Sequence, residues 1–120
     1  MFNSSVVKIG DISVGGESPL VFILGPCQIE NRDHALFMAE KIVNVCEPSS
    51  SKFIFKSSFD KANRSSITSS RGIGIEEGLK ILEEVKSTFR CPVITDVHTV
   101  PQCGIAVSYT HLRAHETSEN

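Results

Sequence analysis

The segment KSSFDKANRSS, residues 56–66, concentrates charged and hydrogen-bonding side chains. Its eleven positions hold two lysines, an arginine, an asparagine and four serines, and a single aspartate opposes the three cations. The segment is therefore locally positive, although the whole chain carries a net charge of −2. A guanidinium binds phosphate through paired hydrogen bonds, and a lysine binds phosphate or carboxylate as a point charge. This pattern predicts a site for a small anion and argues against a general nucleic-acid surface.

Composition limits the class of protein. The 120 residues are 40% hydrophobic, which predicts a globular chain of one domain or less. The longest apolar run, residues 20–24, is too short to cross a bilayer, and the N-terminus does not resemble a signal peptide. The four cysteines form no CxxC pair, so we expect reduced thiols and a cytoplasmic protein without a membrane partner.

Apolar runs and turn residues predict the order of the elements. Residues 6–9 and 12–14 form a predicted hairpin around a Gly-Asp turn. Three strands and two amphipathic helices are predicted to alternate after it: strands at 21–24, 53–55 and 93–95, a helix capped by Asn31 or Asp33 that ends at Cys46, and a helix with an apolar stripe from Ile75 to Val85. Residues 21–24 are apolar throughout, which is typical of a strand buried on both faces. The alternation predicts an α/β fold with a parallel sheet.

A parallel sheet would bring together the residues that follow its strands. These are Cys27 after the first strand, Lys56 and its loop after the second, and Asp96 with His98 after the third. In α/β folds, ligands bind at the carboxyl ends of the strands. Because three strand ends each carry side chains capable of chemistry, we interpret the protein as an enzyme.

Each of these residues also has a simpler explanation. Lone lysines in loops are usually solvated, and a free cysteine such as Cys27 is more often a small buried thiol. Asp96 and His98 could be a structural pair. Cys46 lies on an apolar helical stripe and is interpreted as a core residue.

The motifs FKSSFDKANRSS, SRGIGIEEGLKIL and ITDVH together resemble the 3-deoxy-D-manno-octulosonate 8-phosphate synthase family. The resemblance covers about residues 6–106, and DKANRSS is its most specific part. It implies condensation of phosphoenolpyruvate with arabinose 5-phosphate and water, with release of phosphate, in lipopolysaccharide precursor synthesis. It also implies a homotetramer of (β/α)8 TIM barrels, each with an N-terminal hairpin that closes the bottom of the barrel.

The same resemblance implies roles for residues of the loop and of the third strand end. It assigns three residues to phosphoenolpyruvate: Lys56, Lys61 and Ser58. It assigns three more to arabinose 5-phosphate: Asn63, Arg64 and Ser65. The catalytic residues that it implies are Lys61, Asp96 and His98. A loop that holds two phosphorylated anions side by side needs many donors, because the donors offset the repulsion between the anions.

Cys27 carries the prediction of a metal. In the family that the chain resembles, members with asparagine after Leu-Gly-Pro need no metal, and members with cysteine there bind a divalent ion. A thiolate is a good ligand for zinc or ferrous iron. The resemblance therefore implies a divalent cofactor (zinc, iron or manganese), with Cys27 as one ligand and a histidine, a glutamate and an aspartate beyond residue 106 as the others.

The end of the sequence departs from this family. A (β/α)8 barrel takes about 250 residues, whereas three barrel strands are predicted here. Residues 107–117, VSYTHLRAHET, can be encoded by a nucleotide string that resembles a transposase-type sequencing adapter. We therefore predict a truncated barrel domain at 1–106 and an artefact tail at 107–120. His111 and His115 have the i, i+4 spacing of metal ligands, but this origin argues against a metal site.

Two alternatives remain open. The related 3-deoxy-D-arabino-heptulosonate 7-phosphate synthase shares the Gly-Pro-Cys strand end and the first substrate. It typically carries a Lys-Pro-Arg-Thr type loop where this chain has Asp-Lys-Ala-Asn-Arg-Ser at 60–65. From a different class, the chain could be a phosphate-binding module or an inert fragment. We reject this interpretation for the natural gene, but we expect the 120 residues alone to be an inactive fragment.

Overall fold

The computed structural model of the chain describes residues 5–59, 74–97 and 100–109. It is a mixed α/β structure with a two-stranded and a three-stranded sheet. In chain order, the elements are β1 (Val6–Ile9), β2 (Ile12–Gly15), β3 (Val21–Leu24), α1 (Arg32–Cys46), a 3₁₀ turn (Glu47–Ser49), β4 (Lys52–Lys56), α2 (Ile75–Phe89), β5 (Val93–Ile94) and α3 (Val100–Tyr109).

The N-terminal hairpin has the predicted strands and turn. β1 and β2 pair antiparallel, and Ile9 lies opposite Ile12 across the turn. Gly10 has a φ of +59°, a left-handed conformation that glycine adopts without the steric cost of a side chain. A Cβ on Gly10 would lie 3.5 Å from Cγ of Pro92. The hairpin turn therefore packs against the residues that lead into β5.

The second sheet is parallel, with β4 in the centre between β3 and β5. This confirms the predicted β-α-β-α-β order. β4 is longer than predicted by one residue at each end, because Lys52 and Lys56 also join the ladders. β5 is shorter, since its pairing ends where Lys56 lies opposite Ile94 and Thr95 falls beyond it.

The prediction that β3 is buried on both faces was wrong. Phe22 is 39% exposed and Ile23 is 54% exposed, whereas residues 53–55 of β4 are all buried. Within the described part of the chain, β3 pairs with β4 alone, so it is an edge strand. A continuous apolar run identifies a strand, but burial depends on neighbours that the run itself does not reveal.

The helices begin and pack as their apolar stripes predict. The side chain of Asn31 accepts a 2.7 Å hydrogen bond from the backbone N–H of His34, which caps the first turn of α1. Cys46 is buried at the end of α1, as predicted, and Leu82 and Val85 of α2 are fully buried. They form one core with Phe55 of β4. Burying a large apolar side chain contributes roughly 1.5–3 kcal/mol, so this core holds the helices on the sheet.

Helix α3 was not predicted from the sequence. It runs from Val100 to Tyr109 and crosses the predicted boundary at residue 107. None of the helices in the described ranges is both long enough and apolar enough to cross a membrane.

Candidate active site

The carboxyl ends of β3, β4 and β5 lie side by side at one edge of the parallel sheet, as the sequence predicted. Beyond β3 and β4, the chain continues to pair through an isolated parallel bridge between Gln28 and Ser58. The N–H of Ser58 donates to the carbonyl of Cys27 at 3.2 Å, and the N–H of Ile29 donates to the carbonyl of Ser58 at 2.8 Å. The backbone that carries Cys27 is therefore fixed to the backbone that carries Ser58.

Ser58 and Asp96 meet across this edge. The hydroxyl of Ser58 donates a 2.6 Å hydrogen bond to Oδ1 of Asp96, and Ser58 is 8% exposed. Hydrogen bonds to a carboxylate are shorter and stronger than neutral ones. This contact joins the end of β4 to the end of β5 and fixes the orientation of the Asp96 carboxylate.

Ser57 has a structural role that sequence reasoning missed. It is fully buried, and its hydroxyl donates a 2.7 Å hydrogen bond to the carbonyl of Pro26. Its N–H donates to the carbonyl of Ile94 at 3.3 Å. Ser57 therefore fixes the turn before Cys27 and the end of β5 at once. A serine in a polar run gives no sequence signal for such a role.

Gly25 allows the two strand ends to approach each other. A Cβ at this position would overlap the carbonyl oxygen of Lys56. A glycine directly after an apolar strand is the signal that could have predicted this close approach. Lys56 itself is exposed at the end of β4, and it makes no ion pair within the described ranges.

Phe59, the fourth residue of the segment at 56–66, packs against helix α2. Its side chain is 1% exposed, and a Cβ on Gly78 of α2 would lie 2.5 Å from Cβ of Phe59. The glycine in α2 thus makes room for the aromatic ring. Five of the predicted site residues lie outside the described residues: Lys61, Asn63, Arg64, Ser65 and His98. Their predicted roles stay predictions.

Cys27 is exposed in the described chain, which argues against the alternative that it is a buried structural thiol. Its backbone lies at the same edge as the Ser58–Asp96 pair, and an exposed thiol can provide a thiolate ligand to a soft divalent metal. The described residues contain no cluster of three or more histidine, cysteine or acidic side chains that could hold a metal ion. Cys27 therefore fits one position in a metal shell and does not complete one with the described residues.

Comparison with known proteins identifies related sequences. A family model described as "DAHP synthetase I family" matches residues 3–114. A protein of Rickettsia felis named 2-dehydro-3-deoxyphosphooctonate aldolase is 58% identical over 98 residues. Proteins with the same name in Rickettsia typhi and Rickettsia prowazekii are each 59% identical over 98 residues. These alignments cover 82% of this chain but 36% of each relative, so the chain spans about a third of the length of the curated relatives it matches.

Proposed function

Because the chain belongs to the DAHP synthetase I family, we propose that the whole protein condenses phosphoenolpyruvate with arabinose 5-phosphate and water. The products are 3-deoxy-D-manno-octulosonate 8-phosphate and phosphate, in lipopolysaccharide precursor synthesis. The observation that carries the proposal is the 58–59% identity to proteins named 2-dehydro-3-deoxyphosphooctonate aldolase. The Ser58–Asp96 pair supports the proposal, because this pair lies at the strand ends where α/β enzymes bind their substrates.

The reaction forms one carbon–carbon bond and breaks one bond to phosphate. The vinyl carbon of phosphoenolpyruvate attacks the aldehyde carbon of the sugar, whose oxygen takes up a proton. Water adds at the adjacent carbon, and phosphate leaves. Such chemistry needs little covalent participation by the protein, so positioning and charge stabilisation contribute most of the catalysis.

Each predicted residue has a place in this scheme. Lys56 and Lys61 bind the anionic groups of phosphoenolpyruvate, and Ser58 both lies near that substrate and orients Asp96. Three donors hold the phosphate and hydroxyl groups of arabinose 5-phosphate: Asn63, Arg64 and Ser65. Lys61, Asp96 and His98 act at the reacting carbons. The exposed ammonium of Lys56 at the end of β4 supports the first of these assignments.

We assign Cys27 as one ligand of a divalent metal in the whole protein. The metal, when bound, would supply a Lewis acid beside the substrates. Support comes from the donor itself: the thiol is exposed, and its backbone is fixed to Ser58 at the edge where the substrates are proposed to bind. Zinc, iron and manganese all remain candidates, and the further ligands belong to other parts of the protein.

The whole protein is proposed to be a (β/α)8 barrel that assembles as a cytoplasmic homotetramer. Parallel β3, β4 and β5 would be its first three barrel strands, and the β1–β2 hairpin would close its bottom. The exposed edge of β3 supports this, since a closed barrel would give β3 a second neighbour.

The rival within the family is 3-deoxy-D-arabino-heptulosonate 7-phosphate synthase, the activity that the description of the matching family model names. Its seven-carbon product requires a four-carbon aldose phosphate, because phosphoenolpyruvate contributes three carbons to either product. The names of the relatives and the Asp-Lys-Ala-Asn-Arg-Ser segment at 60–65 favour the eight-carbon product.

Residues 107–120 are proposed to derive from a sequencing adapter and not from the natural gene. The support for this origin is that a nucleotide string resembling an adapter can encode residues 107–117, VSYTHLRAHET. The family match continues to residue 114, and α3 crosses residue 107. Reading the source locus past codon 106 therefore tests whether the natural gene encodes residues 107–120.

Substrate-specific variants test the proposed roles. The protein to use is a full-length hybrid, in which residues 1–106 are continued by the matching C-terminal part of the Rickettsia felis relative. Arg64→Ala should raise KM for arabinose 5-phosphate by about tenfold or more, because a hydrogen bond to a charged group is worth about 1.5–3 kcal/mol. Lys61→Ala should instead impair phosphoenolpyruvate binding and turnover together. Lys80→Ala, on the exposed face of α2, is the control; equal losses for both substrates with Arg64→Ala contradict the assignment.

A further inference from the structure

A cleft lies at the opposite end of the parallel strands from the candidate active site. It has a volume of about 660 Å³, and the hairpin turn, the start of β4, the end of α2 and the start of β5 line it. This volume lies within the range of small-molecule pockets, about 300–1,000 Å³. Lys52 and Lys56 are the two ends of β4, so this cleft and the candidate active site lie about 13 Å apart along that strand.

The floor and walls of the cleft are apolar. Phe53 and Val93 are buried at the starts of β4 and β5, and Phe89 is half-buried at the end of α2. Ile9 and Ile12 contribute from the hairpin. Such a lining can bury the apolar body of a ligand, at roughly 25 cal/mol per Å² of apolar surface removed from water.

The polar lining is mainly cationic. Lys52, Lys86 and Arg90 contribute three positive charges, and Asp11 in the hairpin turn contributes one negative charge. None of the four takes part in an ion pair within residues 5–59, 74–97 and 100–109. The chain as a whole is acidic, with a net charge of −2. An apolar cavity with unpaired cations is complementary to a small organic anion.

We propose that this cleft binds a small carboxylate with an apolar body. The carboxylate lies between Lys86 and Arg90, and the apolar body packs on Phe53 and Phe89. This site is independent of the proposed synthase activity, because it shares no residue with the candidate active site. A bound ligand would contact both the hairpin and the sheet, so it would hold the hairpin turn against the start of β5.

Binding of naphthalene-1-carboxylate to the full-length hybrid, which contains every residue that lines the cleft, tests the proposal. Its dissociation constant is measured by NMR titration beside that of naphthalene-1-carboxamide, which has the same shape and no charge. The carboxylate should bind at least fivefold more tightly than the carboxamide, and binding should weaken as salt rises, because exposed charges are screened. Equal affinities, or no binding at millimolar carboxylate, overturn the proposal.

Three variants locate the site. Lys86→Gln should weaken carboxylate binding by about two- to fivefold, as expected for a partly exposed ion pair. Asp11→Asn should tighten it by a similar factor, since a repulsive charge is removed. Lys80→Gln, which removes a charge from the exposed face of the same helix, should leave it unchanged. An identical dissociation constant for Lys86→Gln and Lys80→Gln overturns the proposal, and so does an Asp11→Asn variant that binds no more tightly than the unmodified chain.

Discussion

The hydroxyl of Ser58 donates a 2.6 Å hydrogen bond to the carboxylate of Asp96, and so joins the ends of two neighbouring parallel strands. The two residues are 38 positions apart in the chain. Asp96 is thereby held at the edge where Cys27 and Lys56 also lie. The proposed chemistry requires a carboxylate of fixed orientation beside two anionic substrates, and this contact provides that orientation.

Ser58→Ala should therefore impair catalysis in the full-length hybrid. Loss of a hydrogen bond to a carboxylate costs about 1.5–3 kcal/mol, which corresponds to a fall in kcat/KM of about tenfold to a hundredfold. Steady-state kinetics with both substrates measures this. Ser87→Ala, an exposed serine of α2, is the control. Unchanged kinetics for Ser58→Ala would show that Asp96 needs no such support.

Cys27→Ala should remove both bound metal and turnover from the hybrid, because the thiolate is proposed as a ligand. Metal content per protomer, measured after dialysis, and activity after chelation and metal addition are the two readouts. Cys103→Ala is a matched control, since Cys103 is also an exposed cysteine. Full activity in metal-free protein would place the enzyme with the metal-independent members. Cys27→Asn is expected to regain part of the metal-free activity.

Gly25→Ala should destabilise the sheet, because the added Cβ overlaps the carbonyl oxygen of Lys56. Overpacking of this kind costs about 1–3 kcal/mol of the free energy of unfolding. Gly104→Ala is the contrasting variant: its Cβ meets nothing within 4 Å in helix α3, so stability should rise by about 0.5–1 kcal/mol. Chemical denaturation measures the free energy of unfolding of both variants and of the unmodified chain. If Gly25→Ala is as stable as the unmodified chain, the close approach of Gly25 to Lys56 is not needed for stability.

The thiol of Cys91 should make stability fall at alkaline pH. Burial raises its pKa from 9.0 to about 11. Between these values the unfolded chain releases the thiol proton and the folded chain retains it, so the free energy of unfolding decreases as pH rises. The full effect is about 2–3 kcal/mol, reached near pH 11 and absent below pH 9. Denaturation curves of the unmodified chain and of Cys91→Ala, compared from pH 8 to pH 11, isolate the contribution of this thiol to the free energy of unfolding. Parallel stability profiles would contradict the shifted pKa.

Much of the fold could be predicted because its signals are local. The turn at Gly10 and Asp11, the cap at Asn31 and the apolar stripe of α2 each lie within a few residues of the element that they define. The exposure of Ile23 could not be predicted, because burial depends on strands that lie elsewhere in the chain. Ser57 was missed for a similar reason: its partner, the carbonyl of Pro26, lies 31 residues away.

The candidate site was predictable to the extent that strand order determines it. Three strand ends at one edge follow from parallel alternation, and the meeting of Ser58 with Asp96 agrees with this prediction. The exposure of Cys27 depended on the path of the chain after Pro26, which no periodicity describes. The roles of Lys61 and Arg64 came from family resemblance, since spacing alone indicates an anion site without naming the anion.

The most direct test is phosphate release from phosphoenolpyruvate by the full-length hybrid. Release should depend on arabinose 5-phosphate and yield an eight-carbon product, and the 120-residue chain assayed beside it should release none. Phosphate release from the hybrid that requires a four-carbon aldose phosphate, or release by the 120-residue chain alone, would contradict the account.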